Sequence, residues 1–313
     1  MDSFNVVFSV GGVALTWNAV MLALGILVAV VVSGIVVKKR GVYKDLALDA
    51  CIVGIPLGLL GGRLFSAISG KIAFSAFFDL SQSGMNLPGA LVLVGIGIAV
   101  YACIKKLSVP EVFDVLAPGA FLGLAVGRWS DFFLCEGLGP VVGEGVPKFF
   151  PLATFTQQYF LDGKTVAYAI FFLDFLVCAV LGIVALLSKK RTPGTVSRGV
   201  ITGYLFAEFI LEWLRDGSTR QILFGEVRFN QIVLLAMLLF FIGLSLYRAK
   251  HPAYAEDEPT ESPEAPIEAP DEPIEAFETP TEASEAPTEM SDEPTDAPEP
   301  PTDAPEDGEG EPA

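Results

Sequence analysis

Seven apolar stretches, at roughly residues 17–37, 47–66, 88–104, 113–134, 165–187, 199–214 and 230–248, dominate the first 250 residues of the chain. A bilayer's hydrocarbon core, about 30 Å thick, takes about 20 apolar residues of helix to cross, and it accepts only backbone whose polar groups are satisfied internally. The pattern therefore predicts an all-α integral membrane protein of about seven transmembrane helices. The third and sixth stretches are the shortest and carry the weakest signal.

Basic residues orient the bundle. Lys38, Lys39, Arg40 and Lys44 follow the first stretch, Lys105 and Lys106 the third, Lys189, Lys190, Arg191 and Arg198 the fifth, and Arg248 and Lys250 the seventh. These twelve fall in alternate loops, which the positive-inside tendency assigns to the cytoplasm, so the N-terminus is expected outside and the C-terminus inside. Asp2 stands where a signal peptide would carry bases, and the first basic cluster comes after the apolar run, so the first stretch is expected to remain in the mature protein.

The formal net charge of -17 misleads until it is divided along the chain. Residues 251–313 hold 22 of the 37 acids and no Lys or Arg, which leaves 15 acids against 20 bases in residues 1–250. The acidity belongs to a tail of Pro, Glu, Ala, Thr and Asp, in which Pro-Thr-Asp-Ala-Pro-Glu at 294–299 recurs at 301–306. Such a segment has too little apolar surface to offset the entropy of ordering. Residues 251–313 are expected to be a disordered cytoplasmic tail on a helical domain of residues 1–250. The only histidine, His251, opens that tail, which excludes a histidine-based catalytic set or zinc site within the bundle. Cys51, Cys103, Cys135 and Cys178 show neither Cys-x-x-Cys nor metal-ligand spacing, and packing is the expected role of each.

Chemistry concentrates at Gly127-Arg128-Trp129-Ser130-Asp131-Phe132-Phe133-Leu134-Cys135-Glu136, which ends the fourth stretch. A charge near hydrocarbon costs about 2.5–3.5 kcal/mol on insertion scales, so charges there pair, line a wet cavity or bind something charged. An internal Arg–carboxylate pair that only locks helices is the plain alternative. Stretches two, four and six run in the same direction, so Arg63, Arg128, Asp131, Glu136, Glu208, Glu212 and Arg215 share one level, towards the outside. Arg128 and Asp131, and likewise Glu208, Glu212 and Arg215, have the spacing of one helical face. Arginine forks match phosphate oxygens two at a time, and at this depth the anion to expect is a phospholipid headgroup. Gly61, Gly62, Gly123 and Gly127 offer close helix approach or room for an acyl chain. The long loops 67–87 and 135–164 flank this level, and Phe149, Phe150, Phe155, Tyr159 and Phe160 suit either the membrane interface or a partly buried cap.

These residues resemble the prolipoprotein diacylglyceryl transferase family. The likeness is carried by Asp114-x-x-Ala117-Pro118, Leu122-Gly123 and the 127–136 run, supported by Gly61-Gly62-Arg63-Leu64, Thr156-Gln157-Gln158-Tyr159, Glu212-Trp213-Leu214-Arg215 and Gln231. The resemblance implies a multi-pass enzyme of the bacterial cytoplasmic membrane that moves diacylglycerol from phosphatidylglycerol to the lipobox cysteine of prolipoproteins. Its implied catalytic residues are Arg128, Arg215 and Glu136, to which the charge pattern adds Asp131, with Arg63, Glu212, Tyr159 and Gln157 on the substrate. The implied partners are the membrane, phosphatidylglycerol and prolipoprotein signal peptides, with no cofactor, metal or nucleic acid. Asn86-Leu87-Pro88-Gly89-Ala90 stands where the family has His-Gly-Gly, Thr154-Phe155 where it has another histidine, Ser130-Asp131 where it has Gly-Asn, and Leu134 where it has a later Asn. Any base for the thiol would then be a carboxyl such as Glu136 or Asp131. Two other readings stay open: a relative that binds phospholipid or signal peptides without transfer, and a transporter or channel.

Overall fold

In the computed structural model, residues 6–10, 13–78, 84–189, 192–215, 222–224 and 227–250 are described. The acidic segment from His251, expected to be a disordered tail, lies outside the described residues. Each of the seven apolar stretches forms a helix: α1 (Trp17–Arg40), α2 (Leu46–Ile68), α3 (Leu87–Ile104), α4 (Val109–Gly127) continued by the short α5 (Trp129–Leu134), then, past a four-residue α6 (Tyr159–Asp162), α7 (Ile170–Leu187), α8 (Thr195–Leu214) and α9 (Phe229–Lys250). Among the described residues, six of these are long and apolar enough to cross a membrane, with α4 and α5 counted as one. The exception is α8, whose 20 residues include Arg198, Glu208 and Glu212.

Among the described residues three antiparallel hairpins, unforeseen from the sequence, accompany these helices: β1 (Val6–Val10) with β2 (Val13–Thr16) ahead of α1, β3 (Ala153–Phe155) with β4 (Val166–Tyr168) between α5 and α7, and β5 (Ile222–Phe224) with β6 (Val227–Arg228) between α8 and α9. The fifth apolar stretch begins its helix later than expected because residues 166–168 pair with β3 instead. Asp162 sets up that pairing. Its carboxylate accepts the backbone N–H of Lys164 at 2.8 Å and of Thr165 at 3.0 Å, while Gly163, at φ +65°, ends α6. Those bonds and the Thr165 hydroxyl hold the Asp162 carboxyl below its ordinary pKa, the hydroxyl contributing most.

α4 is the centre of the bundle. Its Val112, Val115 and Leu116 pack with Val36, Val37 and Leu46 of α1 and α2, and its Phe121 and Ala125 pack with residues of α7, α8 and α9 such as Cys178, Leu205 and Leu234. Glycine allows the α1–α4 backbones to touch. A Cβ on Gly123 would lie 2.5 Å from the carbonyl oxygen of Gly25 and 2.7 Å from Cβ of Ala29. Backbone cannot rotate away from such a clash, so Gly123→Ala should lower stability by about 1–3 kcal/mol, read as a lower Tm of purified protein in detergent. Gly199→Ala meets nothing within 4 Å and should leave Tm unchanged or raise it. Gly61 makes the equivalent approach to α3, where its Cβ would lie 2.6 Å from the carbonyl of Gly89. These two glycines thus serve helix contact and leave no space there for an acyl chain.

Asp114, buried in α4, accepts the backbone N–H of Gly194 and of Ser197, each at 2.7 Å, and so caps α8 from a neighbouring helix. Asp114→Ala should cost about 1–2 kcal/mol and speed amide exchange at 194–197, with Asp114→Asn milder. The same end of the bundle carries the basic loops: Lys105 after α3 lies over the rings of Tyr43 and Tyr101, and the loop before α8 packs Gly194 on Pro110.

Candidate active site

The opposite end holds the charges. α4 stops at Gly127, and Arg128 keeps right-handed backbone angles, so the chain turns directly into α5 with Asp131 in its first turn. α8 ends at Leu214, where Arg215 becomes extended and its guanidinium folds back on its own helix. α7 delivers Asp174 between them. Arg128 Nη2 donates to Glu208 Oε1 at 2.7 Å and to the Tyr204 hydroxyl at 3.3 Å, and its Nη1 lies 3.5 Å from Asp131 Oδ2 and 3.7 Å from Asp174 Oδ2. Arg215 Nη2 donates to Asp174 Oδ2 and, at 3.0 Å, to Glu208 Oε1, while its Nη1 reaches Glu212 Oε2 at 2.9 Å. Asp174 and Glu208 each bridge both arginines.

Burial makes the cluster expensive to build and to break. Arg128 is 8% exposed, Asp174 1%, Glu208 2% and Glu212 5%. Ions taken this far from water require close partners, and here two guanidiniums face four carboxyl groups. The accounting is incomplete: Nε of Arg128, Nε of Arg215 and Oδ1 of Asp174 are buried with no hydrogen-bond partner among the described residues. Each such group costs about 1–3 kcal/mol when left unmatched.

Of the eight residues singled out from sequence, Arg128, Asp131, Glu212 and Arg215 meet in this cluster. Arg63 is buried on α2, where the neighbouring Gly62 carbonyl accepts the Asn86 N–H at 3.1 Å. Asn86, at the position of the family's histidine, caps α3 through Gly89 N at 2.9 Å and donates to Asn230 at 2.6 Å. Gln231, next on α9, accepts the Arg228 N–H at 3.1 Å, and the Arg228 guanidinium donates to the Glu212 carbonyl. The ends of α2, α3, α8 and α9 are thereby tied at one level.

Glu136, Gln157 and Tyr159 stand apart from the ion pairs, the first two on the loop that follows α5 and Tyr159 at the start of α6. The backbone N–H of Glu136 bonds the Asp131 carbonyl at 2.9 Å and its side chain is exposed. The protein around it still raises its carboxyl pKa by desolvation, against the pull of Lys71. Gln157 Nε2 donates to the Leu134 carbonyl at 3.3 Å. Tyr159 joins Phe155 and Phe160 in an aromatic group that meets Phe132 through Phe155, with ring centroids 4.9 Å apart. Trp129 lies against five phenylalanine rings at 5.7–6.3 Å, Phe150 among them, so this loop caps α5 while leaving Phe149 and Phe160 exposed.

Three members of the cluster were not assigned to the site from sequence. Glu208 was placed at the right level without a role, and Tyr204 lies one turn before it on α8. Asp174 carries a signal of its own in the sequence, a lone acid in an apolar stretch.

The same residues lie inside a recognisable family pattern. The family profile described as prolipoprotein diacylglyceryl transferase matches residues 5–247. A phosphatidylglycerol–prolipoprotein diacylglyceryl transferase of Clostridium kluyveri is 28% identical over 252 residues, covering 77% of this chain and 95% of the relative. Proteins of the same name from Listeria monocytogenes (26% over 264 residues, 81% and 94% covered) and Clostridium botulinum (29% over 238 residues, 73% and 90% covered) are similar as well. With that match spanning every helix that builds the charge cluster, the chain belongs to the prolipoprotein diacylglyceryl transferase family.

Proposed function

We propose that this multi-pass membrane enzyme transfers the diacylglyceryl group of phosphatidylglycerol to the lipobox cysteine of prolipoprotein signal peptides, in the bacterial cytoplasmic membrane. The observation that carries the reading is the convergence of Arg128 and Arg215 on shared carboxylate oxygens at one end of the bundle. Two forks held this close suit a phosphodiester, and carboxylates already occupy the geometry that phosphate oxygens would take. Family membership favours transfer over the phospholipid-binding and transporter readings. The site end faces outside in this proposal, with the basic loops and the C-terminus in the cytoplasm.

In the reaction, the cysteine sulfur forms a bond to the terminal glycerol carbon as that carbon's bond to the phosphate oxygen breaks. The electron pair leaves with glycerol phosphate, and the thiol proton passes to a base or to solvent. Arg128 and Arg215 stabilise the charge that grows on the departing phosphate. Four carboxyls already outnumber the two arginines, so entry of the lipid requires a carboxyl such as that of Glu208, which both arginines share, to turn away or to bind a proton. Arg63, Glu212, Gln157 and Tyr159 are assigned to holding the substrates.

Glu136, exposed beside Asp131, is assigned as the proton acceptor. A base must be ionised, so transfer should rise with pH through the raised pKa of Glu136. Glu136→Gln should slow transfer and flatten that rise; an unchanged profile would remove Glu136 from the role. The proposal as a whole is tested by expressing the chain in bacteria depleted of their own transferase. Growth and diacylglyceryl-modified lipoproteins should return, and failure despite membrane insertion would contradict it.

A further inference from the structure

Asp174 uses only half of its carboxylate. Oδ2 binds Arg215 and lies 3.7 Å from Arg128, whereas Oδ1 is buried without a hydrogen-bond partner among the described residues. The side chain has no exposed surface, so this acceptor is sealed beside two guanidiniums whose Nε donors are likewise unmatched. A ligand that satisfies all three must bring acceptors for the two Nε–H groups and a donor for Oδ1. A phosphodiester alone supplies only the acceptors.

We infer that Asp174 Oδ1 accepts a hydrogen bond from a hydroxyl of the lipid headgroup, which makes Asp174 a specificity-determining residue. This rests on the reading that Arg128 and Arg215 hold the lipid phosphate, and it adds how the headgroup is chosen. A glycerol headgroup carries hydroxyl donors one and two carbons beyond the phosphate ester carbon, within reach of a carboxylate beside that phosphate. An ammonium headgroup would also donate to Asp174, but Arg128 and Arg215 repel it. A headgroup with no donor leaves Oδ1 unmatched.

The test compares phosphatidylglycerol with phosphatidylpropanol, which has the same charge and nearly the same shape but no hydroxyl. Purified full-length protein is exchanged into mixed micelles of the two lipids, and retained lipid is read by native mass spectrometry alongside transfer to a lipobox peptide. Wild-type protein should retain phosphatidylglycerol over phosphatidylpropanol by about tenfold or more. Asp174→Asn, which keeps an uncharged acceptor, should reduce that ratio to a few-fold, and Asp174→Ala should bring it near one through loss of phosphatidylglycerol alone. Equal retention of both lipids by wild type, or an unchanged ratio in Asp174→Asn, would overturn the inference. An equal loss of both lipids in a folded Asp174→Ala protein would overturn it too and leave Asp174 a purely positioning residue. Selective retention without transfer would uphold the headgroup assignment while counting against the proposed reaction.

Discussion

Arg128→Ala should lower the rate of diacylglyceryl transfer by about 10²–10³-fold, the effect typical of removing one preorganised donor to a developing anion. The loss has a structural part, because Arg128 pairs with Asp131, Asp174 and Glu208 together, as no other described residue does. Truncating it leaves buried carboxylates short of a cation, at a cost of about 3–5 kcal/mol. Arg128→Lys separates the two parts. Its ammonium keeps the charge without the fork, so the variant should melt close to wild type and recover only part of the activity. An Arg128→Ala protein that is folded and fully active would remove the phosphate-holding role from this residue.

Glu208→Ala should damage the fold itself as much as Arg128→Ala does. Glu208 Oε1 accepts from Arg128 at 2.7 Å and from Arg215 at 3.0 Å, and Asp174 alone would be left to bridge both cations. The expected cost is about 3–5 kcal/mol, read as a large fall in Tm and in the yield of monodisperse protein. Glu208→Gln still offers an oxygen to both guanidiniums and should lose much less. A Glu208→Ala protein that melts as wild type does would mean that the arginines are satisfied elsewhere.

The helices were legible because a membrane span is a local property: about 20 apolar residues in a row announce themselves without any partner. The level of the charges was legible for a related reason, since direction reverses from one apolar stretch to the next and Arg128 and Arg215 both close stretches expected to run the same way. Spacing alone did not reveal the pairing, because Asp174 and Arg215 are 41 positions apart and share no helical face. The hairpin of β3 and β4 was hidden too. Its strands are three residues each, too short for an alternating pattern, and Val166–Tyr168 reads as the start of the apolar stretch that follows. Asp114 shows the opposite case: a motif residue recognised by resemblance turns out to cap α8, a role visible only once α4 and α8 are packed together.

Transfer of the diacylglyceryl group by this chain is expected to depend on Arg128 and Arg215. Its most direct test is mass spectrometry of a lipobox peptide incubated with the purified full-length protein and phosphatidylglycerol. The peptide should gain one diacylglyceryl thioether, with glycerol phosphate released in equal amount, and the gain should collapse with Arg128→Ala and Arg215→Ala. An unmodified peptide with folded wild-type protein, or full modification by both variants, would contradict it.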